Sequence, residues 1–442
     1  MSETGGASSP RPSRNPFRSL PRTVLALGVV SFLTDLSSEM IYPLLPVFLT
    51  VTLGAGAVAL GAVEGVAEAA ASMLKLVSGA WSDRARRRKP LVVVGYAVAG
   101  VARPLIGAAG SWVAVLALRF ADRVGKGLRT SPRDALIADV TDPARRGAAF
   151  GVHRAMDHAG AVAGPLVAAA LLAWGLEMRT VFYLAAVPAA LTLVVLVAAV
   201  REGARPDVEP GDGRREAGAG GGRARGEGDD AEADPAAARG DDPGRGLGRL
   251  GRLGPLDPGL RRLLAALALF TLGNSTDAFL LLRLADAGIA AGWVAVLWSA
   301  HHVVKALAAA AGGPLSDRFG RRRSMLAGWL VYAAVYAGFA LAGSPAALVV
   351  IFLAYGLYFG LTEPVEKAWA VDLAASGRRG TALGAYHATV GLTALPASLL
   401  FGVLWAAFGA PVAFAAGAGL ALAASSLLLR VPQPTIASPV HS

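Results

Sequence analysis

The chain contains about twelve long apolar stretches, and no other feature constrains its fold as much. Each has roughly the 20 residues that an α-helix needs to cross the hydrocarbon core of a bilayer. Only 17% of the 442 residues are charged, against about 25% in soluble domains. A polytopic, all-α membrane protein is therefore expected. The stretches lie at residues 23–50, 58–80, 90–110, 112–138, 147–173, 180–200, 261–288, 293–312, 324–342, 346–370, 381–407 and 410–430.

Basic residues occur at every second boundary between these stretches. They precede the first stretch and recur at 84–89, 145–146, 201, 318–323, 378–379 and 430. Lysine and arginine are enriched in cytoplasmic loops, so both termini and the central loop are expected to be cytoplasmic. This placement also accounts for the net charge of +11, and nucleic acid is not expected as a partner.

Residues 201–258 interrupt the apolar pattern and separate two sets of six helices. They are rich in Gly, Pro, Asp, Arg and Ala, a composition that cannot bury a core. We expect a disordered cytoplasmic linker here. The predicted organisation is a cytoplasmic tail at 1–22, a six-helix bundle at 23–200, the linker, a second six-helix bundle at 259–432 and a cytoplasmic tail at 433–442.

The two halves repeat each other in sequence. The charged turn Ser82-Asp83-Arg84 recurs as Ser316-Asp317-Arg318, and the surroundings of Asp139 recur around Asp372. Internal repeats of this kind are typical of transporters built from homologous bundles. The sequence therefore predicts two pseudo-symmetric six-helix bundles.

Four predicted helices, the first and fourth of each half, carry ionisable residues away from their ends. An ionised side chain at mid-bilayer costs about 2.5–3.5 kcal/mol, so these residues must line a wet cavity or pair with one another. We expect a polar pathway between the bundles. Its substrate cavity is expected to be lined by Arg119, Asp122, Lys126, Glu363 and Glu366.

Glu39 is the leading candidate for a proton carrier. Burial favours the neutral form of a carboxyl group and a nearby arginine favours the charged form, so a change of surroundings can load or release a proton. Asp35 competes for this role, and Asp277 is the counterpart of Glu39 in the second half. A permanent structural ion pair is the alternative for each carboxyl group. Arg123 cannot usefully deprotonate, so it is expected to pair with a carboxylate or bind an anionic substrate group.

These features resemble the major facilitator superfamily over the whole chain except the linker and tails. Residues 313–323 match the loop motif G-x-L-[SA]-D-[RK]-x-G-[RK]-[RK] of that family, whereas the first copy has Trp81 for Leu and Arg86 for Gly. The resemblance implies a gate whose carboxylates contact neighbouring helices and hold one access state. Its residues would be Asp83, Arg84, Asp317 and Arg318.

Two further motifs are similar to those of the drug–proton antiporter branch. The fourth helix reads Arg123-x-x-Lys126-Gly127, with Lys where the branch has Gln, and the resemblance implies that Arg123 takes part in proton transfer. The fifth helix resembles the antiporter motif, although Ala168-Ala169 replaces its final glycine pair. The matching residues are Gly151, Gly160, Gly164 and Pro165.

The sequence thus predicts a secondary transporter of the inner (plasma) membrane and not an enzyme. We expect a proton-coupled antiporter that exports a small organic molecule or drug by alternating access. Its expected partners are this substrate, protons and the lipid bilayer, and the chain is expected to be a monomer. No cofactor, metal ion or catalytic residue is expected. Two alternatives stay open: a symporter or exchanger for an organic or inorganic anion, which the basic fourth helix favours, and a non-transporting membrane receptor on the same fold.

Replacing Asp83 by Asn is expected to lower the transport rate without changing substrate affinity, because the gate holds an access state and does not touch the substrate. Initial transport rates and equilibrium binding, measured on the same preparation, check this. A loss of affinity with an unchanged rate at saturation would instead place Asp83 in the binding site.

Overall fold

The computed structural model describes residues 20–84, 87–142, 145–202, 256–374 and 379–433. Within these ranges the secondary structure is helical, without a β-strand. The all-α fold with two six-helix halves is confirmed. Its helical spans are α1 Arg22–Thr52, α2 Ala57–Arg84, α3 Lys89–Ala108, α4 Trp112–Asp139, α5 Arg146–Ala173, α6 Met178–Ala199, α7 Pro258–Asp286, α8 Ala291–Phe319, α9 Arg321–Leu341, α10 Pro345–Asp372, α11 Arg379–Phe408 and α12 Ala410–Leu428.

Ten helices in the described ranges are long and apolar enough to cross a membrane, and α4 and α8 are not among them. Both are nevertheless long, at 28 and 29 residues, or about 42 Å at 1.5 Å per residue. In α4 the cause is a large number of charged side chains. These are Arg119, Asp122, Arg123, Lys126, Arg129, Arg133 and Asp134.

The predicted linker at 201–258 lies almost wholly outside the described residues, of which it includes only 201–202 and 256–258. Most of the two predicted tails lies outside them as well. The domain boundaries therefore stay predictions.

At the base of the first half, two basic residues tie α3 to the ends of α4 and α6. Arg88 forms an ion pair with Asp139, the last residue of α4. Lys89 Nζ donates to the carbonyl oxygens of Val197 and Val200 at 2.9 and 2.7 Å. We call this pair of contacts the basal clamp.

The second half contains the same clamp. Arg321 Nε lies 3.3 Å from Oδ2 of Asp372, the last residue of α10. Arg322 Nη1 donates to the carbonyl oxygen of Leu429, just beyond α12, at 3.4 Å. The repeat read from the sequence is therefore also a repeat of contacts, in which the third helix of each half holds the fourth and sixth.

The halves meet mainly along two helix pairs, α2 with α11 and α5 with α8. A Cβ atom placed on Gly61 would lie 2.3 Å from the carbonyl oxygen of Ser398, and one on Gly391 would lie 2.4 Å from Cβ of Ser72. Small residues let helix backbones approach closely in lipid. The α2–α11 seam is therefore held by close packing.

Replacing Arg88 by Gln is expected to lower the thermal unfolding midpoint of the purified protein more than replacing Arg321 by Gln. The Arg88 side chain is 7% exposed and that of Arg321 is 26% exposed, and exposed ion pairs contribute only about 0–1 kcal/mol. Arg430→Gln, at an exposed position after α12, is the matched control. Equal midpoints for all three variants would contradict a stabilising clamp.

Candidate functional site

Helix α5 packs directly on α1 because two of its glycines leave no side chain between them. A Cβ atom on Gly160 would lie 2.4 Å from the carbonyl oxygen of Phe32 and 3.1 Å from Cβ of Asp35. One on Gly164 would lie 2.8 Å from Cβ of Glu39. These two glycines of the predicted antiporter motif therefore seat α5 against the two carboxyl-bearing residues of α1.

The other two residues of that motif have different surroundings. A Cβ atom on Gly151 would meet nothing within 4 Å. Pro165 lies inside α5, which continues through it.

Glu39 connects the two halves. Its Oε2 accepts a hydrogen bond from Nε1 of Trp298 in α8 at 2.8 Å and lies 3.9 Å from Nε2 of His302. The Trp298 ring also packs against the ring of Tyr42 in α1, with centroids 5.2 Å apart. Trp298 and His302 were not among the predicted site residues, because no local pattern links α8 to a carboxyl group of α1.

Asp157 of α5 lies near the part of α1 that carries Asp35. Its Oδ1 accepts a hydrogen bond from Oγ of Ser31, one turn before Asp35 on α1, at 2.6 Å. Lys126 lies close enough to influence the charge of both Asp35 and Glu39. Asp157 was not among the predicted site residues, although its place three residues before Gly160 is a signal that could have found it.

Arg119 and Asp122 are parts of a buried ion-pair network on the α2 and α3 side of α4. Arg119 binds both carboxylate oxygens of Glu64 at 2.6–2.9 Å, a bidentate geometry that strengthens such bonds. Asp122 Oδ1 accepts from Nε of Arg103 at 2.8 Å. All four side chains are at most 5% exposed, and their charges balance. Their predicted place in the substrate cavity stays a prediction.

Arg123 lies one residue further along α4 in a different environment. Its Nε is buried without a hydrogen-bond partner in the described part of the chain. Leaving a buried donor unsatisfied costs about 1–3 kcal/mol. A ligand with acceptor oxygens would therefore be stabilised beside this guanidinium.

In the second half, α7 is broken beside Asp277. Its two parts, Pro258–Gly273 and Ala278–Asp286, are separated by four residues. Asp277 precedes the second part directly. Broken helices of this kind free backbone groups that need other partners inside a membrane.

Tyrosine hydroxyls surround this break, one for each consecutive residue from Gly273 to Asp277. Tyr332 bonds a backbone group, the carbonyl oxygen of Gly273, and the other four bond side chains. We call this set the tyrosine ring. It consists of Tyr332 with Gly273 at 2.9 Å, Tyr358 with Asn274 at 3.3 Å, Tyr336 with Ser275 at 3.0 Å, Tyr42 with Thr276 at 3.4 Å and Tyr355 with Asp277 at 2.8 Å. Five of the eight tyrosines of the chain are used in this way, and Tyr42 comes from the first half.

A stack of rings joins the surroundings of Glu39 to those of Asp277. The Trp298 ring, bonded to Glu39, stacks on His301 with centroids 5.4 Å apart. His301 stacks in turn on Tyr355, at 5.3 Å, and Tyr355 donates to Asp277. The two carboxyl groups that the sequence repeat pairs are therefore linked through packed aromatic side chains.

Glu363 and Glu366 of α10 face different neighbours. Glu363 lies 3.5 Å from Nη2 of Arg154 in α5 and 3.8 Å from Nζ of Lys305 in α8, so it spans the boundary between halves. Glu366 accepts from the hydroxyl of Tyr386 in α11 at 2.8 Å and lies within the second half.

The predicted gate lies at the ends of α2 and α8. The side chains of Asp83, Arg84 and Asp317 fall outside the described part of the structure. Arg318 is exposed, with its guanidinium carbon 5.7 Å from the centroid of the Phe319 ring. The gate role of all four residues stays a prediction.

Twelve helices in two repeated halves, with ionisable side chains between them, define a multi-pass membrane transport protein. The sequence pattern of the Major Facilitator Superfamily matches residues 27–290 and 263–441, and the chain belongs to this superfamily.

Similar proteins include an uncharacterized MFS-type transporter of Methanocaldococcus jannaschii. It is 32% identical over 419 residues, which cover 93% of this chain and 95% of that protein. An uncharacterized protein of Mycobacterium tuberculosis strain H37Rv is 30% identical over 387 residues, covering 87% of each chain.

Solved structures show the same fold at low sequence identity. The nucleoside transporter NupG has a TM-score of 0.72 and 14% identity, covering 92% of this chain and 99% of that one. A bacterial homolog of the human lysosomal transporter Spinster, in an inward-facing, unoccupied conformation, has a TM-score of 0.66 and 18% identity, covering 94% and 96%.

The close approach of α5 to α1 can be tested by adding one methyl group. Replacing Gly by Ala inside a helix stabilises the helix by about 1 kcal/mol. Gly151→Ala and Gly164→Ala lie in the same helix, so both variants gain this stabilisation. Only Gly164→Ala must displace α1, and such overpacking costs about 1–3 kcal/mol. Gly164→Ala is therefore expected to have the lower thermal unfolding midpoint. The same midpoint for both variants would show that α1 is not held against α5 at this glycine.

Proposed function

We propose that the protein is a proton-coupled antiporter of the plasma membrane that exports a small organic molecule, with both termini in the cytoplasm. The observation that carries this proposal is the hydrogen bond from Trp298 to Glu39, which joins the first half to the second at 2.8 Å. Alternating access requires the two bundles to rock against each other around a central site. A titratable group at their boundary links this motion to proton binding.

The free energy that couples protonation of Glu39 to the motion of the halves can be estimated from the strength of hydrogen bonds. A bond to a charged acceptor contributes about 1.5–3 kcal/mol and a bond to a neutral one about 0.5–1.5 kcal/mol. Protonation of Glu39 therefore weakens its contact with Trp298 by about 1 kcal/mol. Since each 1.4 kcal/mol is a factor of ten, one proton would change the ratio of two access states by about fivefold.

The direction of transport rests on the resemblance of α5 to the antiporter motif. Gly160 and Gly164 place α5 against α1 at Asp35 and Glu39, so the motif acts where the proposed proton carriers lie. This supports export in exchange for protons.

Anion symport or exchange is the second candidate, favoured by the basic groups around Glu39. Arg123 Nε lacks a hydrogen-bond partner among the described residues, and Lys126 lies near the same carboxyl group. An anionic substrate group would satisfy the first and be attracted by the second.

Proteoliposomes with an imposed pH gradient test the first candidate. We expect that a lipophilic cation, with ethidium tested first, drives protons across the membrane and so reduces the pH gradient. Glu39→Gln should abolish this proton movement because glutamine cannot carry a proton. Glu177→Gln, an exposed carboxyl residue before α6, is the matched control and should behave as the unaltered protein. Transport that is independent of the gradient would contradict proton coupling.

Arg123→Gln distinguishes the two candidates. If the protein binds anions, this variant should lose binding of benzoate or inorganic phosphate, measured by calorimetry. If it exports cations, ethidium binding should persist and only the proton movement should change.

A further inference from the structure

Four arginines lie at the base of the second half, the face that the charge pattern predicts to be cytoplasmic. Arg261 and Arg262 lie near the beginning of α7, and Arg322 and Arg323 belong to the first turn of α9. Arg322 is partly buried and the other three are exposed. We call these four residues the basal arginine cluster.

The segment that follows α12 brings the two pairs together. Arg322 Nη1 donates to the carbonyl oxygen of Leu429 at 3.4 Å. A Cβ atom on Gly259, in the first turn of α7, would lie 2.9 Å from Cγ of Pro432. Helices α7 and α9 therefore both begin beside the same short segment, and their arginines share one face of the protein.

The acidic residues near this cluster do not balance its charge. Asp372 is engaged by Arg321, whose Nε lies 3.3 Å from its Oδ2. Asp257 precedes α7 directly and can offset one positive charge. The four arginines therefore leave the described part of this face positively charged.

The first half shows which kind of group occupies the equivalent position. Arg88 and Lys89, at the beginning of α3, are the counterparts of Arg321 and Arg322 in the basal clamp. Glu202, which follows α6, accepts hydrogen bonds from the backbone N–H groups of Arg88 and Lys89 at 2.5 and 3.1 Å. A carboxylate therefore lies where the positive end of the helix dipole favours an anion.

The second half keeps these cations but does not bring such a carboxylate. The described residues that follow α12, from Leu429 to Gln433, include no acidic residue. Gly320, which precedes α9, has no side chain that could cap the helix. An anion from outside the chain would therefore complete the second half as Glu202 completes the first.

The second half also carries arginines that the first half lacks. When the halves are aligned on Asp139 with Asp372, the counterpart of Arg323 is Pro90. When they are aligned on Glu39 with Asp277, the counterparts of Arg261 and Arg262 are uncharged, namely Thr23 and Val24. Positive charge is therefore concentrated on the half that has no carboxylate of its own at this place.

The position of the cluster relative to the bilayer indicates the kind of anion. Helix α9 has 21 residues and is therefore about as long as the hydrocarbon core is thick, roughly 30 Å. Its first turn lies at the level of the lipid headgroups. Guanidinium groups match the geometry of phosphate oxygens, and clusters of basic residues at the cytoplasmic ends of membrane helices attract anionic headgroups.

We propose that the basal arginine cluster binds the headgroup of an anionic phospholipid. Its phosphate lies at the beginning of α9, as the Glu202 carboxylate lies at the beginning of α3. The proposal does not depend on the substrate or on proton coupling.

Titration of the purified protein in detergent with short-chain phosphatidylglycerol tests this site, because a ligand that binds the folded state raises the thermal unfolding midpoint. Phosphatidylcholine of the same chain length, whose headgroup has no net charge, should leave the midpoint unchanged. Each basic side chain near an anionic membrane surface contributes about fivefold in affinity. The double variant Arg262→Gln/Arg323→Gln should therefore bind phosphatidylglycerol about 25-fold more weakly.

The double variant Arg22→Gln/Arg201→Gln is the matched control. It removes two exposed arginines from the base of the first half, where Glu202 already lies at the beginning of α3, so its lipid affinity should be unchanged. Equal weakening in both double variants would reveal a general attraction to net charge and overturn the site. Undiminished binding by Arg262→Gln/Arg323→Gln would overturn it as well.

Sodium phosphate distinguishes a lipid site from a site for a free anion. We expect it to leave the midpoint unchanged at concentrations at which phosphatidylglycerol raises it. An equal rise with sodium phosphate would overturn the assignment to lipid.

Discussion

A charged side chain inside a bilayer must find a partner or water, and in this molecule that requirement decides which helices lie together. The buried ion pairs of α4 fasten it to α2 through Glu64 and to α3 through Arg103. Removing one partner of a buried pair leaves the other charge unpaired and destabilises the fold by about 3–5 kcal/mol. Helices α2, α3 and α4 are therefore expected to move as a unit. In the same half, α5 packs closely on α1 through Gly160 and Gly164.

Contacts between the halves are of a different kind. They include close packing of small residues along α2 and α11, a hydrogen bond from Ser299 to a carbonyl oxygen of α5 at 2.8 Å, the Glu39–Trp298 bond and the long ion pair of Glu363 with Arg154 at 3.5 Å. Strong pairing within a half and weaker bonding between halves is the arrangement that rigid-body rocking requires. Under the proposed proton coupling, Glu39 acts on these weaker contacts, where a small free energy has the larger effect.

The helices and their repeat were predictable because apolar length and composition are local properties of the sequence. The partners of the charged residues were not, since they depend on which helices meet. Glu64 is not among the predicted site residues, yet it is the main partner of Arg119. The contact of Trp298 with Glu39 became visible only once α8 was placed beside α1. The break in α7 had a weak signal. The run from Gly273 to Asp277 contains poor helix formers, but it lies within an apolar stretch that indicates a single helix.

The tyrosine ring is divided unequally between the two halves. Four of its hydroxyls come from α9 and α10, and Tyr42 of α1 makes the longest of the five bonds, at 3.4 Å. Four of the five contacts that hold the unwound turn therefore lie within the second half itself. If Tyr42 moved away with the first half, one hydrogen bond of about 1 kcal/mol would be lost and the other four would remain. The second half is therefore expected to keep the shape of its broken helix when the two halves separate, so the conformational entropy of ordering that turn would be lost only once, on folding.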